Sequence, residues 1–241
     1  GRKRRGELER ALVEAAEPLG IEIGAEALTC FGRYYELLAA KADKRDLTAA
    51  RGEREVAVRH LADSLAGLLV LKQEKLRLLD IGAGAGFPGL VLKIMRPAWE
   101  VTLLEANRKK CAFLMEAAAV LGLRGVRVIW ERAETLAHDA GHREGYGAVV
   151  ARAVAELRVV LEYGLPLVEK GGLFVAYKGR GAREELGRAG RALAVLGGET
   201  EELREYRLGG GDEGVLVVIR KTKETPAAYP RREGVPARRP L

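Results

Sequence analysis

The residues of this chain best suited to chemistry are an acid and the glycines that follow it. The segment Asp80-Ile81-Gly82-Ala83-Gly84-Ala85-Gly86-Phe87-Pro88-Gly89 comes directly after the apolar run 76–79, and an apolar, helix-like stretch follows it. A strand, a turn without Cβ atoms and a helix N-terminus together let backbone N–H groups approach a ligand closely. A carboxylate at Asp80 would face a cation or accept hydrogen bonds from the turn. We interpret the segment as a cofactor cradle.

A second acid, Glu105, ends the next apolar run of the sequence. In an open parallel sheet the ligand lies beyond the carboxyl ends of the strands, where an acid can accept both hydroxyls of a ribose. Later apolar runs also end in polar residues, at 132–134 and at Arg152. We therefore expect these residues to border one cleft with Asp80.

Two cofactors fit the cradle. Gly84 to Gly89 matches the dinucleotide fingerprint G-x-G-x-x-G, which by itself is a weak signal and keeps an NAD-dependent oxidoreductase open. Asp80 to Gly86 matches the S-adenosylmethionine fingerprint, in which an acid stands two residues before G-x-G-x-G. A reversed last strand, predicted below, is typical of those methyltransferases and favours S-adenosylmethionine. A glycine turn without a ligand is the third alternative.

The motifs that the sequence lacks reduce the number of plausible methyl acceptors. The sequence has no Asp/Asn-Pro-Pro-Tyr/Phe motif, which disfavours exocyclic base amines, and no Pro-Cys before a helix, which disfavours covalent attack on a pyrimidine ring. Its one serine, Ser64, is not in a Gly-x-Ser-x-Gly turn, so a serine nucleophile of that kind is excluded. Guanine N7 has an exposed lone pair and needs none of these devices. The protein then has only to align nucleophile, methyl carbon and sulfur.

Alternating strands and helices must position these residues. Short apolar runs predict strands at 76–81, 100–105, 126–130, 147–152 and 171–177. Helical patterns fill the gaps at 86–96, 107–121, 133–142, 155–167 and 181–196. This alternation predicts an α/β, Rossmann-like S-adenosylmethionine-dependent methyltransferase fold with a mostly parallel seven-stranded sheet. The last two strands, 199–208 and 215–220, are joined by so few residues that they must form an antiparallel hairpin.

The two ends of the chain differ from this middle. Three amphipathic helices, 7–19, 25–42 and 53–69, predict an N-terminal helical cap over residues 1–70. The S-adenosylmethionine-binding domain is expected at 71–220. Residues 221–241 contain four prolines and no periodicity, and predict an extended basic Pro/Arg tail.

Charge and composition indicate which kinds of partner this chain could bind. Of the net charge of +7, residues 1–10 carry +3 and residues 220–241 carry +5. Basic ends suggest a polyanion partner, and solvated tails are the equally plausible alternative. His138 and His142 lack a third ligand, so we expect no metal. No apolar run reaches the roughly 18 residues of a membrane span. We expect no membrane contact, a cytoplasmic location and a monomer.

At this point the chain resembles the bacterial 16S ribosomal RNA guanine-N7 methyltransferase family, RsmG or glucose-inhibited division protein B. The resemblance covers roughly residues 45–241. Its marks are Asp46-Leu47-Thr48, Arg59-His60-Leu61-Ala62-Asp63-Ser64, Phe87-Pro88-Gly89 after the glycines, Arg108-Lys109-Lys110, Arg132-Ala133-Glu134, Arg152-Ala153, Lys178-Gly179 and the ending from Tyr229-Pro230-Arg231-Arg232 to Pro240-Leu241.

The resemblance implies S-adenosylmethionine as cofactor and 16S rRNA or the small ribosomal subunit as partner. Together with the cradle it predicts cofactor contacts from Asp80, Gly82, Ala83, Gly84, Gly86, Phe87, Glu105, Ala106, Asn107, Ala133, Glu134 and Arg152. An N-cap is the commoner role for Asn107. Arg152 and Lys178 would face the guanosine as the catalytic candidates. Expected RNA contacts are His60, Asp63, Arg231, Arg232, Arg238 and Arg239.

Three departures from the family pattern stand out. Ala83 replaces a threonine of the glycine turn, Asp46 replaces an asparagine, and Gly214-Val215 replaces an Arg-His pair before the last strand. The last change removes a positive group that could contact RNA. It keeps open a non-catalytic RNA- or ribosome-binding protein with a relict pocket.

Overall fold

A seven-stranded sheet forms the centre of the molecule. A computed structural model describes residues 6–41 and 52–241. The strands are β1 (Arg77–Ile81), β2 (Glu100–Glu105), β3 (Val126–Trp130), β4 (Tyr146–Arg152), β5 (Val168–Lys178), β6 (Gly198–Arg207) and β7 (Glu213–Lys221). Their order across the sheet is β3-β2-β1-β4-β5-β7-β6.

One strand of the sheet runs against the others. β7 is antiparallel to both neighbours, whereas β1 to β5 pair in parallel. The hairpin between β6 and β7 forces this reversal, because the short loop 208–212 cannot cross over the sheet. The predicted fold class is confirmed.

Helices cover both faces of the sheet. The helices are α1 (Glu7–Ala16), α2 (Ala25–Ala40), α3 (Glu53–Glu55), α4 (Asp63–Leu65), α5 (Gly89–Met95), α6 (Arg108–Val120), α7 (Ala133–Leu136), α8 (Leu157–Gly164), α9 (Ala182–Gly187), α10 (Gly190–Leu196) and α11 (Val235–Arg238). A π-helical stretch, Val56–Ala62, joins α3 to α4, and single 3₁₀ turns (Glu17–Leu19, Ala66–Leu69 and Leu165–Leu167) follow α1, α4 and α8. None of the helices in the described part of the chain is long and apolar enough to span a membrane.

Strand alternation divides the core into two layers. Leu78 and Val150 belong to the layer formed with α1, α2, the helical segment 53–69, α5 and α6. Leu79 and Val149 belong to the opposite layer, formed with α7 to α10. Parallel strands buried on both faces explain the nearly continuous apolar runs that the sequence shows.

Two predicted helices are shorter or broken. The helix expected at 133–142 ends at Leu136, and the Asp139 carboxylate then accepts the Gly141 N–H at 2.8 Å in a local turn. The helix expected at 181–196 divides into α9 and α10, with glycines at the break. Local side-chain bonds and glycine entropy outweigh the helical pattern at both places.

The C-terminal tail, expected to be extended, is folded against the domain. The Arg143 guanidinium donates to the carbonyl oxygens of Tyr229 at 2.8 Å and Thr225 at 2.9 Å. The last residues include the short helix α11, and Pro230 and Pro236 are buried. The tail therefore closes one side of the sheet, next to α7 and α8.

Candidate functional site

Asp80 anchors the glycine turn, residues 82–88, from below. Its side chain is fully buried, and Oδ2 accepts the backbone N–H of Gly89 at 2.8 Å. Oδ1 is buried without a hydrogen-bond partner in the described residues. Burial raises the pKa of Asp80 to about 7, against the lowering effects of the Gly89 N–H and the Arg152 charge. Of the two roles expected for this acid, the structure shows the hydrogen bond to the turn.

The turn is fixed on one side and open on the other. Gly86 has a φ of +102°, and a Cβ there would lie 2.6 Å from Leu90 Cδ1. The buried Tyr34 hydroxyl donates to the Ala85 carbonyl, which holds the turn against α2. Gly84 has a φ of +57°, and a Cβ there would meet nothing nearer than the Gly82 carbonyl at 3.8 Å. Free space therefore lies next to Gly84, as a ligand cradle requires.

Glu105 joins this open side to the end of β2. Its Oε1 accepts the Gly84 N–H at 3.1 Å, and Oε2 accepts the Asn107 N–H at 2.6 Å. A carboxylate has about four lone-pair positions, so these two bonds leave room for ribose hydroxyls. Asn107 Oδ1 accepts the Lys110 N–H at 3.1 Å and caps α6, the commoner of its two expected roles. Ala106 is exposed beside them.

The far wall of the cleft begins where β3 ends. Ala133 and Glu134 are buried in the first turn of α7. Glu134 Oε2 accepts the Gly234 N–H from the tail at 3.0 Å. The tail therefore reaches Glu134, one of the residues expected to contact the cofactor.

Arg152, at the end of β4, is held by the N-terminal helices. Its Nε donates to Asp63 Oδ2 at 2.8 Å, and Nη2 donates to the Arg59 carbonyl at 2.6 Å. Nη2 also lies 3.3 Å from His60 Nδ1, and the guanidinium carbon lies 6.0 Å from the Phe87 ring centroid. His60 and Asp63, expected to contact RNA, are thus brought together with Arg152 beside the glycine turn.

Sequence reasoning missed Tyr206 in this cluster. Its hydroxyl donates to Asp63 Oδ1, and burial together with the Asp63 charge raises the pKa of Tyr206 well above its usual value. It is a lone aromatic residue among the charged residues of β6, and that isolation is the one signal that could have singled it out. The π-helical stretch carries Arg59 and His60, and such bulges are frequent at functional sites.

The second predicted catalytic cation lies on the other face of the sheet. Lys178 Nζ donates to the Ala155 carbonyl at 2.7 Å and lies 3.0 Å from Glu185 Oε1 on α9. Arg152 instead finds its partners on the helical segment 53–69. The structure therefore does not place the two cations side by side.

The tail arginines fall into two groups. Arg231 Nε and Nη2 donate to the two oxygens of Glu162, at 2.9 and 2.8 Å, and Glu162 is fully buried. This guanidinium is used inside the domain, unlike the RNA contact expected of it. Arg232, Arg238 and Arg239 are exposed. Asp46-Leu47-Thr48 and the basic residues 2–5 lie outside the described residues.

Metal binding finds no support in this arrangement. His138 Nε2 lies 2.6 Å from the Pro230 carbonyl, whereas His142 Nδ1 lies 2.7 Å from the Tyr146 hydroxyl. The residues that the structure describes include no group of three or more His, Cys, Asp or Glu side chains that could hold an ion.

Comparison with known proteins finds a matching family model and relatives of nearly the same length. The family model described as rRNA small subunit methyltransferase G matches residues 28–209. A Pelotomaculum thermopropionicum protein named ribosomal RNA small subunit methyltransferase G is 49% identical over 236 residues, which are 97% of this chain and 99% of the relative.

Two solved structures share the fold. A ribosomal protein L11 methylase from Lactobacillus delbrueckii subsp. bulgaricus is 14% identical, with a TM-score of 0.52 over 68% of this chain and 79% of that one. M. jannaschii TYW2 in complex with AdoMet is 15% identical, with a TM-score of 0.50 over 63% of this chain and 71% of that one. At these identities the likeness concerns the fold alone.

The chain belongs to the rRNA small subunit methyltransferase G family. The predicted family, its methyltransferase activity and S-adenosylmethionine as the cofactor are confirmed. The NAD-dependent alternative, which rested on a weak fingerprint, has no support.

Proposed function

We propose, on the premise of that family membership, that this chain transfers a methyl group from S-adenosylmethionine to N7 of a guanine in 16S rRNA. The observation that supports it most strongly is the position of Arg152. Its guanidinium lies beside the open glycine turn, where it can orient a nucleotide against the cofactor. A substrate of ribosomal RNA also implies a cytoplasmic location.

The residues present fit the cofactor. Gly84 leaves open space, Glu105 has lone pairs left for ribose hydroxyls, and Ala133 with Glu134 would border the adenine. S-adenosylmethionine, when bound, supplies a methyl group activated by a positively charged sulfur. Asp80 would hold the turn that receives the cofactor through its bond to the Gly89 N–H.

The acceptor requires no base from the protein. Guanine N7 carries a lone pair and no proton, so the site has to bind and orient it. His60 and Phe87 stack with their ring centroids 5.0 Å apart and interplanar angle 13°. We propose that the guanine is placed against this aromatic pair, with Arg152 directed at its phosphate or its carbonyl oxygen.

The remaining predicted residues take supporting roles in this proposal. Asp63 holds Arg152 in place rather than contacting RNA itself. Arg232, Arg238 and Arg239 on the tail contact phosphates, which position the RNA without reading its sequence. Lys178 helps to hold the loop after β4 through its bond to the Ala155 carbonyl.

Methyl transfer to purified RNA tests the proposal. Radiolabelled S-adenosylmethionine is incubated with the protein and either free 16S rRNA or small subunits, and the labelled nucleoside is identified after digestion. We expect label in 7-methylguanosine with at least one of the two substrates. Label in another nucleoside would overturn the N7 assignment. RNA and cofactor binding without turnover on either substrate would favour the relict, non-catalytic alternative.

A further inference from the structure

Trp130, the last residue of β3, is exposed and fixed at the same time. It leaves 60% of its surface accessible. Its Nε1 donates to the Ala106 carbonyl at 2.9 Å, and the Arg108 guanidinium carbon lies 5.6 Å from the ring centroid. Exposure of a large apolar ring to water is unfavourable. This indole is nevertheless held in one orientation by a hydrogen bond and by the neighbouring Arg108 cation.

The surroundings of this indole are basic and border the cofactor cleft. Trp130 pairs across the sheet with Glu105, the acid expected to hold the ribose. Together with Ala106, Glu131 and Arg132 it lines a shallow cavity of about 360 Å³. The N-terminal turn of α6, where the helix dipole is positive, begins at Arg108, whose guanidinium lies over the indole.

We propose that Trp130 and Arg108 form a stacking platform for an unpaired base of the substrate RNA. Aromatic rings combined with cations bind single-stranded nucleic acid because every base has a π face. Bases inside a duplex cannot reach such a surface, so the RNA bound there is a loop or a splayed segment. The proposal rests on the proposed function only in taking RNA as the ligand.

The platform lies at the mouth of the site and not in its centre. Arg152 and Phe87 are grouped with the N-terminal helices, whereas Trp130 stands at the edge strand on the far side of Glu105. A base bound at Trp130 would therefore be a neighbour of the target guanine. It would fix the direction in which the strand crosses the cleft.

The chain provides its own fluorescence control. It has two tryptophans, and the other, Trp99, is fully buried with its Nε1 bonded to the Gln73 carbonyl at 2.9 Å. Single-stranded fragments of 16S rRNA should quench the emission of the exposed Trp130 and protect it from quenching by acrylamide. The same titration of Trp130→Phe should show no RNA-dependent change, since only Trp99 then emits.

Binding measurements complete the test. Trp130→Ala should weaken the affinity for single-stranded RNA about 5- to 100-fold, with an unchanged affinity for S-adenosylhomocysteine. Val120→Ala is the matched control: it is 51% exposed on the same helix as Arg108 and about 18 Å along it. It should leave RNA affinity unchanged.

Two results would overturn the platform. Equal RNA affinity for wild type and Trp130→Ala would remove the stacking role. A loss of S-adenosylhomocysteine affinity with RNA affinity intact would assign the indole to the cofactor instead. Because binding is measured without turnover, the platform can fail while methyl transfer to N7 stands, and the reverse.

Discussion

Two arginine–carboxylate pairs join distant parts of this chain and differ in their surroundings. Arg231 grips both oxygens of Glu162, whose side chain has no exposed surface. Arg152 makes one bond to Asp63, and both side chains stay about one-fifth exposed, at 18% and 21%. The first pair locks the tail onto the domain. We propose that the second holds a cation at the cleft, so that burial of the acid would distinguish a structural arginine from a functional one.

The largest effect is expected from Arg152→Ala. Removing a preorganised cation from a site commonly lowers the rate about 100- to 1000-fold, and we expect kcat/KM for methyl transfer to fall in that range. Arg220→Ala is the control, because Arg220 pairs with the exposed Glu201 at the opposite end of the sheet. Comparable rates for Arg152→Ala and wild type would show that the Arg152–Asp63 pair has no catalytic role.

The buried pair should matter for stability instead. Arg231→Ala removes the guanidinium from the buried Glu162 carboxylate and leaves it the backbone N–H of residue 231. Removing the charged partner of a buried ion typically costs about 3–5 kcal/mol. Thermal unfolding should show a Tm lowered by roughly 6–20 °C. Arg232→Ala, the exposed neighbour, should leave the Tm within about 2 °C of wild type. If Arg231→Ala and Arg232→Ala have the same Tm, the Arg231–Glu162 pair does not hold the tail on the domain.

The buried Asp80 below the glycine turn should make the stability of the protein depend on pH. The folded pKa of Asp80, about 7, lies above the ordinary carboxyl value of 3.8, so the folded state holds the proton more tightly. The proton on Asp80 therefore stabilises the folded state fully below about pH 4, and this stabilisation is lost as the pH rises to about 7. Asp80→Asn, which keeps a carbonyl for the Gly89 N–H, should therefore gain about 2–4 kcal/mol relative to wild type between pH 4 and 8.

Denaturant unfolding at a series of pH values measures this difference. Asp212→Asn, a change at an exposed acid in the β6–β7 loop, is the control. Its free energy of unfolding should depend on pH in the same way as that of wild type. A pH-independent difference between Asp80→Asn and wild type would mean that the buried carboxylate is ionised throughout this range.

Tyr206→Phe probes how Arg152 is held. The hydroxyl donates to Asp63, and a bond to a charged group contributes about 1.5–3 kcal/mol. We expect a rate loss of roughly 10-fold in kcat and an unchanged KM for RNA, since Tyr206 acts through Asp63. Tyr163→Phe, at a half-buried tyrosine on α8, should have no effect on kcat. A change in KM alone would indicate that Tyr206 contacts RNA directly.

The smallest effect is expected at the exposed tail. Arg238→Ala should lower the slope of log affinity against log salt by about 1 and weaken RNA binding a few-fold, with kcat unchanged. Titrations at several salt concentrations measure it. An unchanged slope would place Arg238 outside the RNA interface.

The sequence predicts those features of the fold that depend on residues close together in the chain. The acid–glycine turn, the alternation of strands and helices and the reversed strand follow from neighbours in sequence and from the short loop 208–212. Tyr206 and Asp63 are 143 positions apart, and Arg231 and Glu162 are 69 apart. No periodicity encodes such pairs, because they depend on how distant elements pack. For the same reason the folded tail and the opposite orientations of Arg152 and Lys178 were not predicted.

The most direct measurement is the 7-methylguanosine content of 16S rRNA in a cell that lacks its own enzyme of this family. The cell is supplied with wild type, Arg152→Ala or Arg231→Ala at a temperature where all three are folded, and the nucleosides are quantified by mass spectrometry. We expect restored 7-methylguanosine with wild type and Arg231→Ala and a strongly reduced content with Arg152→Ala. Absence of the modified base with wild type, or its full restoration by Arg152→Ala, would contradict this expectation.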